Sequence, residues 1–492
     1  MTKTGAAGAL VSVEIDRSSD VPIHIQIAGS IRTAIQSRRL QPGIRLASTR
    51  ALARDWNVSR NTVLHVFENL MSEGLVQSRV GSGTYVASVP TERRPSTKKH
   101  QNGDRGETET KYPFKGLSRR GRSLVAQSQL GLSEKPVAFM PDVPDIRAFP
   151  MRSWLRLMNE VSGRLKGDIL ISITNTGYDP LREAIANHLN LTRGLSCTKD
   201  DIIITTGTQQ SVDLVTRLLL ERGDPVWVEE PGYMGTRATL LANGCAPYPI
   251  PADTDGMNVE DGIANAPVPR MVVISPSRHY PLGGRLSAER RQALLELSKQ
   301  SGTWILEDDY DSDFDYGSGS PSALQADDTE GRVILIGTFS KTLLPSFRLG
   351  YIVSPPDLAH DFAHARSVMD RHAPIFEQLV LSEFMHRGLY ATHLRTMRSL
   401  YCERQAALVD RLDKELGYIP NPSELASGMH IVLPLSDDVD DRETVRRLQA
   451  DGTVARPLSI YYANKKRRSG IILGFAGYTP EEINLSRLDV LR

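Results

Sequence analysis

No apolar run in this sequence approaches the roughly 20 residues that a membrane-spanning helix needs, and Met1 to Gly8 lack the apolar core of a secretory leader. The chain is therefore read as cytoplasmic, with no membrane among its partners. Cysteine is scarce: Cys197, Cys245 and Cys402 stand far apart, with no partner at metal-ligand spacing. That pattern argues against a disulfide framework and against a zinc site. Net charge is almost missing too, at +1 over 492 residues, so a surface for nucleic acid has to be local rather than global. Internal repeats are also lacking. With 40% hydrophobic and 24% charged residues, a chain of this length buries substantial cores and forms more than one domain.

Charge is unevenly placed. Between Val21 and Pro90 eight arginines face only three acids, Asp55, Glu68 and Glu73, a local positive excess suited to phosphates. The same stretch carries helix signals. Ile23 to Gln36 has apolar residues at helical spacing and stops at Gln41-Pro42-Gly43. Ser48 and Thr49 can cap a short helix through Trp56, Asn57-Val58 makes a turn, and Ser59 can cap a helix running to about Glu73. In that last helix Val63, Val66, Phe67 and Leu70 form the inward face. Ser59, Arg60, Asn61 and Thr62 are left at its N-terminal end, where such a helix meets base edges and phosphates. Leu75-Val76 and Thr84-Tyr85-Val86 read as two short strands around Gly81-Ser82-Gly83, a tight tip whose glycines let the backbone approach a sugar-phosphate strand. A helix-turn-helix pattern alone also occurs in unrelated helical bundles.

From Pro90 to Lys111 almost no apolar residue occurs, which marks a solvated tether. The expected organisation is a helix-turn-helix domain ending near residue 88, a polar linker over 89–131 and a large domain over 132–492. In the large domain, apolar runs at Ile202–Thr205, Val226–Glu229, Met271–Ile274, Trp304–Leu306 and Val333–Ile336 alternate with helical segments. That rhythm predicts an α/β domain with a mostly parallel sheet covered on both faces, and its length predicts a large and a small lobe.

Polar residues gather at the ends of these strands. After Val333–Ile336 come Thr338, Ser340 and Lys341, with Arg348 seven residues beyond: an amine, two hydroxyls and a guanidinium together. Trp304–Leu306 leads into Glu307-Asp308-Asp309-Tyr310-Asp311, carboxylates that are costly directly after an apolar strand unless a cation pairs with them. A metal could be that cation, but no histidine lies nearby to support it. Thr206-Gly207-Thr208-Gln209-Gln210 opens a helix whose free N–H groups can receive an anion, and Tyr233 follows Glu230-Pro231-Gly232 at the end of another strand. These are the groups that pyridoxal 5'-phosphate asks for. Lys341 is assigned to its aldehyde, Asp308 to its ring nitrogen, Tyr310 to its phenolic oxygen and Tyr233 to its ring face. Thr208, Gln209, Thr338, Ser340 and Arg348 are assigned to its phosphate.

Two resemblances sharpen this reading. Val21-Pro22-Ile23-His24-Ile25-Gln26-Ile27, Leu40 to Arg50, Val58 to Val63 and Gly81-Ser82-Gly83-Thr84 resemble the GntR-type winged helix in order and spacing over about residues 19–88. The resemblance implies that Arg50, Ser59, Arg60, Asn61, Thr62 and Gly81 contact double-stranded operator DNA. Gly177-Tyr178-Asp179-Pro180-Leu181-Arg182, Thr206 to Gln210, Glu230 to Tyr233, Glu307 to Ser312 and Ser340-Lys341 with Arg348 to Tyr351 resemble fold-type-I aminotransferases. Together the two halves are similar to the MocR subgroup of GntR-family regulators over nearly the whole chain. That implies a DNA-binding regulator whose cofactor domain senses pyridoxal phosphate, an amine or an amino acid. It also implies a homodimer, domain-swapped head to tail.

The departures from that family matter. Leu64 stands where some GntR relatives carry a base-reading arginine, so no operator sequence carries over. Where relatives read Ser-His-Gln before an aromatic and proline, this chain has Ser277-Arg278-His279-Tyr280-Pro281. Tyr280 is placed with the cofactor, and Arg278 and His279 with the effector. The carboxylate-binding arginine expected just before Gly474-Phe475-Ala476 is replaced by Ile471, Ile472 and Leu473, leaving Arg456 as the nearest substitute and as an effector contact. Regulation with at most slow transamination is therefore expected. The alternative is a working aminotransferase that carries a DNA-binding appendage.

Overall fold

The computed structural model describes residues 13–79, 82–87, 116–126, 139–165, 167, 175–317, 321–450, 452–464 and 467–482. The chain divides into two compact units, 1–113 and 114–492.

In the first unit three helices, α1 (Ile23–Gln36), α2 (Thr49–Asp55) and α3 (Arg60–Ser72), precede strands β1 (Val76–Arg79) and β2 (Gly83–Val86). Ser48 and Ser59 cap α2 and α3 by accepting from the Ala51 and Thr62 amides. Between those helices Asn57 takes a left-handed turn at φ 51°. Ile27 and Ile31 of α1 pack with Leu52 of α2, with Val63, Val66 and Leu70 of α3, and with Val86, all fully buried. The first wing strand starts at Val76 rather than Leu75 and runs on to Arg79, pairing Val76 with Val86 and Arg79 with Gly83. Only Val76 of that strand is buried, so its outer residues carry no apolar signal in the sequence.

The second unit is built on a mixed eight-stranded sheet. Its strands are β3 (Ile202–Thr205), β4 (Pro225–Glu230), β5 (Ala246–Asp253), β6 (Gly256–Met257), β7 (Met271–Ile274), β8 (Trp304–Asp309), β9 (Val333–Thr338) and β10 (Gly350–Val353). They lie in the order β3-β10-β9-β8-β7-β4-β5-β6. β5, β4, β7, β8 and β9 run parallel, whereas β10 is antiparallel to both of its neighbours. Successive side chains serve opposite faces, as the period of two requires. Val226 and Val228 pack on one face with Val273, Leu306 and Ile336, and Trp227 packs on the other with Val272, Ile274 and Ile305. Both faces are thus buried, which is why these strands read as continuous apolar runs.

Helices α4 (Arg119–Ala126), α5 (Asp179–Arg193), α6 (Thr208–Leu219), α7 (Met234–Asn243) and α8 (Leu389–Leu416) belong to this unit. α4 falls within the span expected as a polar linker, 89–131; the Arg120 guanidinium donates to the Ala242 carbonyl on α7. A smaller sheet, in the order β11 (His430–Pro434), β13 (Gly470–Gly474), β12 (Arg456–Pro457), forms a second lobe. The Gly474 amide donates to the Phe139 carbonyl, stitching residues 139–142 onto this lobe beside the large sheet.

Candidate functional site

The carboxyl ends of β3, β8 and β9 open into one cavity of about 390 Å³. All ten residues assigned to the cofactor line it: Lys341, Asp308, Tyr310, Tyr233, Thr208, Gln209, Thr338, Ser340, Arg348 and Tyr280. Such a crevice at strand ends is where open α/β sheets hold ligands. Local structure explains the gathering. α6 begins at Thr208 with no side chain capping it, after Gly207 at φ 119°. A Cβ on Gly207 would stand 3.4 Å from the Arg348 guanidinium, and one on Gly350 would stand 2.8 Å from the Gly207 Cα. The glycines therefore allow an arginine and a bare helix N-terminus to converge, which is an anion cradle. Ser340 and Thr338 adjoin it, the Ser340 amide donating to the Thr338 hydroxyl at 3.2 Å.

The acidic run differs from its expected form. Glu307, Asp308 and Asp309 lie inside β8, not after it, with Asp308 opposite Ile336 and Asp309 opposite Gly337. Alternation sorts them. Asp309 is paired with Arg193 at 3.0 Å, and Glu307 accepts from the Leu324 and Gln325 amides. Asp308 lines the cavity, and its Oδ1 is buried without a hydrogen-bond partner among the described residues. Burial, reinforced by the Asp309 and Asp311 carboxylates, pushes Asp308 up to about 7 against the pull of Lys341. It is an acceptor fit for a protonated ring nitrogen. The Tyr310 hydroxyl is likewise buried and without a partner among the described residues. Tyr233, held up at about 12 mainly by burial, stands edge-to-face with Tyr280 at 5.8 Å between centroids. Gln209 lines the cavity, yet its amide donates to the Gly235 carbonyl and the Thr239 hydroxyl of α7 at 3.3 Å each. The residues present therefore fit pyridoxal phosphate: an amine, an unpaired buried carboxylate, an unpaired phenol and an anion cradle, all in one space.

Two sequence assignments do not reach this cavity. Arg278 is buried and donates to the Ser427 carbonyl at 2.6 Å and the His430 carbonyl at 3.0 Å, with Asp311 3.3 Å from its Nε. It joins the large lobe to the small one. His279 is fully buried, its backbone closing a turn with Gly283 and Gly284, and burial pushes its imidazole down to about 4. Neither borders the space an effector would fill. Arg456 does border it. Ile471, Ile472 and Leu473 are fully buried in β13.

Asp142 was not foreseen. It lines the cavity in a left-handed conformation at φ 67°. Its carboxylate lies 3.5 Å from Lys341 Nζ and 3.3 Å from Arg456, and it accepts from the Tyr280 hydroxyl at 2.8 Å. Burial works against its charge, but Lys341, Arg456 and the Tyr280 hydroxyl hold it well below the usual carboxylate range. His430, 3.6 Å away, is pushed down to about 4 by burial and the Arg278 charge; it is neutral at pH 7 and sits against the Pro281 carbonyl through Nε2. The only sequence signal for Asp142 was an acid within the run Phe139-Met140-Pro141-Asp142-Val143.

In the first unit Arg50, Ser59, Arg60 and Asn61 are exposed and Thr62 is half-buried. The Ser59 and Thr62 hydroxyls lie 2.8 Å apart, and Arg60 Nε approaches the Thr49 hydroxyl at 3.4 Å. Gly81 lies outside the described residues. Among those residues no helix is long and apolar enough to cross a membrane, and no group of His, Cys, Asp or Glu is placed to hold a metal.

Fold and cavity together define a helix-turn-helix head with a two-strand wing, joined to an α/β domain of fold-type-I aminotransferase type. Residues 24–86 match the family of bacterial regulatory proteins of the gntR type, and residues 144–484 match aminotransferase class I and II, a pyridoxal-phosphate-binding family. The probable rhizopine catabolism regulatory protein MocR of Rhizobium meliloti is 37% identical over 467 residues, covering 95% of this chain and 92% of that one. The uncharacterized HTH-type transcriptional regulator YhdI of Bacillus subtilis is 29% identical over 474 residues, covering 96% of this chain and 95% of that one. The crystal structure of Pyrococcus horikoshii kynurenine aminotransferase superimposes with a TM-score of 0.65 at 26% identity, over 76% of this chain and 94% of that one. The chain belongs to the MocR-type group of GntR-family, DNA-binding transcription regulators.

Proposed function

We propose that the second unit binds pyridoxal 5'-phosphate in the 390 Å³ cavity and that occupancy of this site by the cofactor, or by an amine or amino-acid effector beside it, regulates binding of the head to operator DNA. One observation carries the reading: the orphaned, buried Asp308 carboxylate shares a cavity with Lys341 and with Arg348 at its glycine cradle. When bound, the cofactor supplies an electrophilic aldehyde carbon that captures amines. The protein's part is to hold it. Lys341 would offer its amine to that carbon, Asp308 would keep the ring nitrogen protonated and Tyr310 would donate to the phenolic oxygen. Tyr233 and Tyr280 would wall the ring, while Thr208, Gln209, Thr338, Ser340 and Arg348 would hold the phosphate.

A ligand regulates only through different affinities for two states of the protein, so effector binding and operator binding must be linked reciprocally. A homodimer, swapped head to tail, is the natural frame for that linkage, because two heads read two half-sites of a palindromic operator. The test uses the full chain, with and without added pyridoxal phosphate, in an operator mobility-shift assay, and Lys341→Ala as comparison. We expect a near-ultraviolet or visible band from the loaded protein, its loss in Lys341→Ala, and operator affinity that changes on loading in the parent alone. An operator affinity indifferent to loading, in a protein that does carry the band, would refute the regulatory reading.

A further inference from the structure

Asp142 stands where a ligand's own carboxylate would have to go. Among the described residues two guanidinium groups line the cavity, and Arg348 belongs to the anion cradle beside Gly207. Arg456 is the one left for a carboxylate on the ligand. Its Nη1 already lies 3.3 Å from Asp142 Oδ2 and 3.5 Å from the Tyr461 hydroxyl. Asp142 is not free to leave. The Tyr280 hydroxyl donates to the same Oδ2 at 2.8 Å and lies 3.1 Å from the Tyr461 hydroxyl, closing a four-residue network. The segment that carries Asp142 is tied to β13 through the Phe139 carbonyl. Asp142 and Arg456 are each largely buried, with side chains 12% and 17% exposed. Water therefore screens their neighbourhood weakly.

We infer that Asp142 is a built-in carboxylate that occupies Arg456, so that the cavity selects primary amines lacking a carboxylate beside the amine and rejects α-amino acids. The inference rests on the cofactor reading of this cavity and names the effector class for it. An α-carboxylate brought to Arg456 would meet a second anion at hydrogen-bond range, and like charges in a poorly screened site repel strongly. An amino alcohol replaces that carboxylate by a hydroxyl, which donates to Asp142 and accepts from Arg456 without adding charge. With Lys341 committed to the cofactor, the Asp142 charge leans more heavily on Arg456, which sharpens the discrimination.

The test is calorimetric titration of the cofactor-loaded full chain with matched pairs, L-alanine against L-alaninol and L-phenylalanine against L-phenylalaninol, alongside the shift of the cofactor band. The parent is expected to bind each alcohol at least tenfold more tightly than its amino acid. Asp142→Gly, which suits the left-handed backbone, is expected to reverse the order by freeing Arg456, and Asp142→Asn to narrow it. Equal affinities in the parent, or a preference unmoved in both variants, overturn the inference, as does binding of neither class by parent and variants alike. If Asp142→Gly does not fold, the parent ratio and Asp142→Asn decide. A chain that takes up no pyridoxal phosphate overturns the cofactor reading and this inference together, whereas a loaded chain with the wrong preference overturns only the inference.

Discussion

Replacing Arg278 by methionine separates a structural arginine from an effector-binding one. The side chain is 2% exposed and holds two carbonyls of the small lobe, those of Ser427 and His430, while facing the 3% exposed Asp311 carboxylate at 3.3 Å. Methionine roughly keeps the volume and removes every donor. Each buried carbonyl left without a donor costs about 1 kcal/mol, and a buried carboxylate stripped of its cation costs about 3 to 5 kcal/mol. Asp311 relieves part of that loss. Burial already pushes its carboxyl up to about 7 against the Arg278 charge, so without Arg278 it keeps a proton at pH 7. The net loss is on the order of 4 kcal/mol, a large share of the roughly 5 to 15 kcal/mol that holds a domain together. With a urea slope of about 3 kcal/mol per molar, the midpoint of the second unit falls by about 1 M. The assay is urea unfolding followed by circular dichroism, on protein with and without pyridoxal phosphate. An unchanged midpoint combined with weakened ligand binding would refute the structural assignment and return Arg278 to the effector.

Three further outcomes follow from the same geometry. Arg60→Ala, at the exposed start of α3, should weaken operator binding about tenfold and flatten its salt dependence while leaving the cofactor band intact; a mobility shift unchanged across salt concentrations would displace Arg60 from the interface. The cofactor-free protein should lose stability as pH rises from about 6.5 to 8.5. Burial lifts Glu229 to about 8 and Asp308 to about 7, so the folded form keeps protons that the unfolded chain has released. That stability is complete below the ordinary carboxylate range and is lost through the raised values. Urea midpoints that rise over this window would contradict it. Finally, turnover of common α-amino acids with α-keto acids should stay below about 1 per second, because Arg456 is paired with Asp142 and β13 offers Ile471 to Leu473 instead of an arginine; faster steady production of the new amino acid would make this an enzyme.

Much of the molecule is legible in its sequence. Local signals suffice where neighbours in sequence are neighbours in space: Ser48 and Ser59 cap the helices they precede, and apolar runs become strands buried on both faces. That the ten residues assigned to a cofactor gather at one cavity has a related reason. Most of them sit at or near the carboxyl ends of strands, and strands of a parallel sheet end on the same side. Gly81, at the wing tip, lies outside the described residues and stays an expectation.

What the chain alone left open are the partners that only long-range packing supplies. β5, with Pro247, Pro249 and Pro251, lacks a strand signal, yet it pairs with β4. Glu307, Asp308 and Asp309 read as one acidic cluster, and strand alternation turns Asp308 to the cavity and the other two to Arg193 and the Leu324 and Gln325 amides. Arg278 and His279, next to Tyr280 in sequence, turn away from the cavity because the small lobe claims the first and a tight turn the second. Asp142 meets an arginine 314 residues away. Residue types and strand-end positions are local properties, so the sequence by itself determined which polar groups stand at the strand ends. Which charges find each other depends on closing the two lobes over one cavity, and only the tertiary structure decided that Arg456 already has its carboxylate.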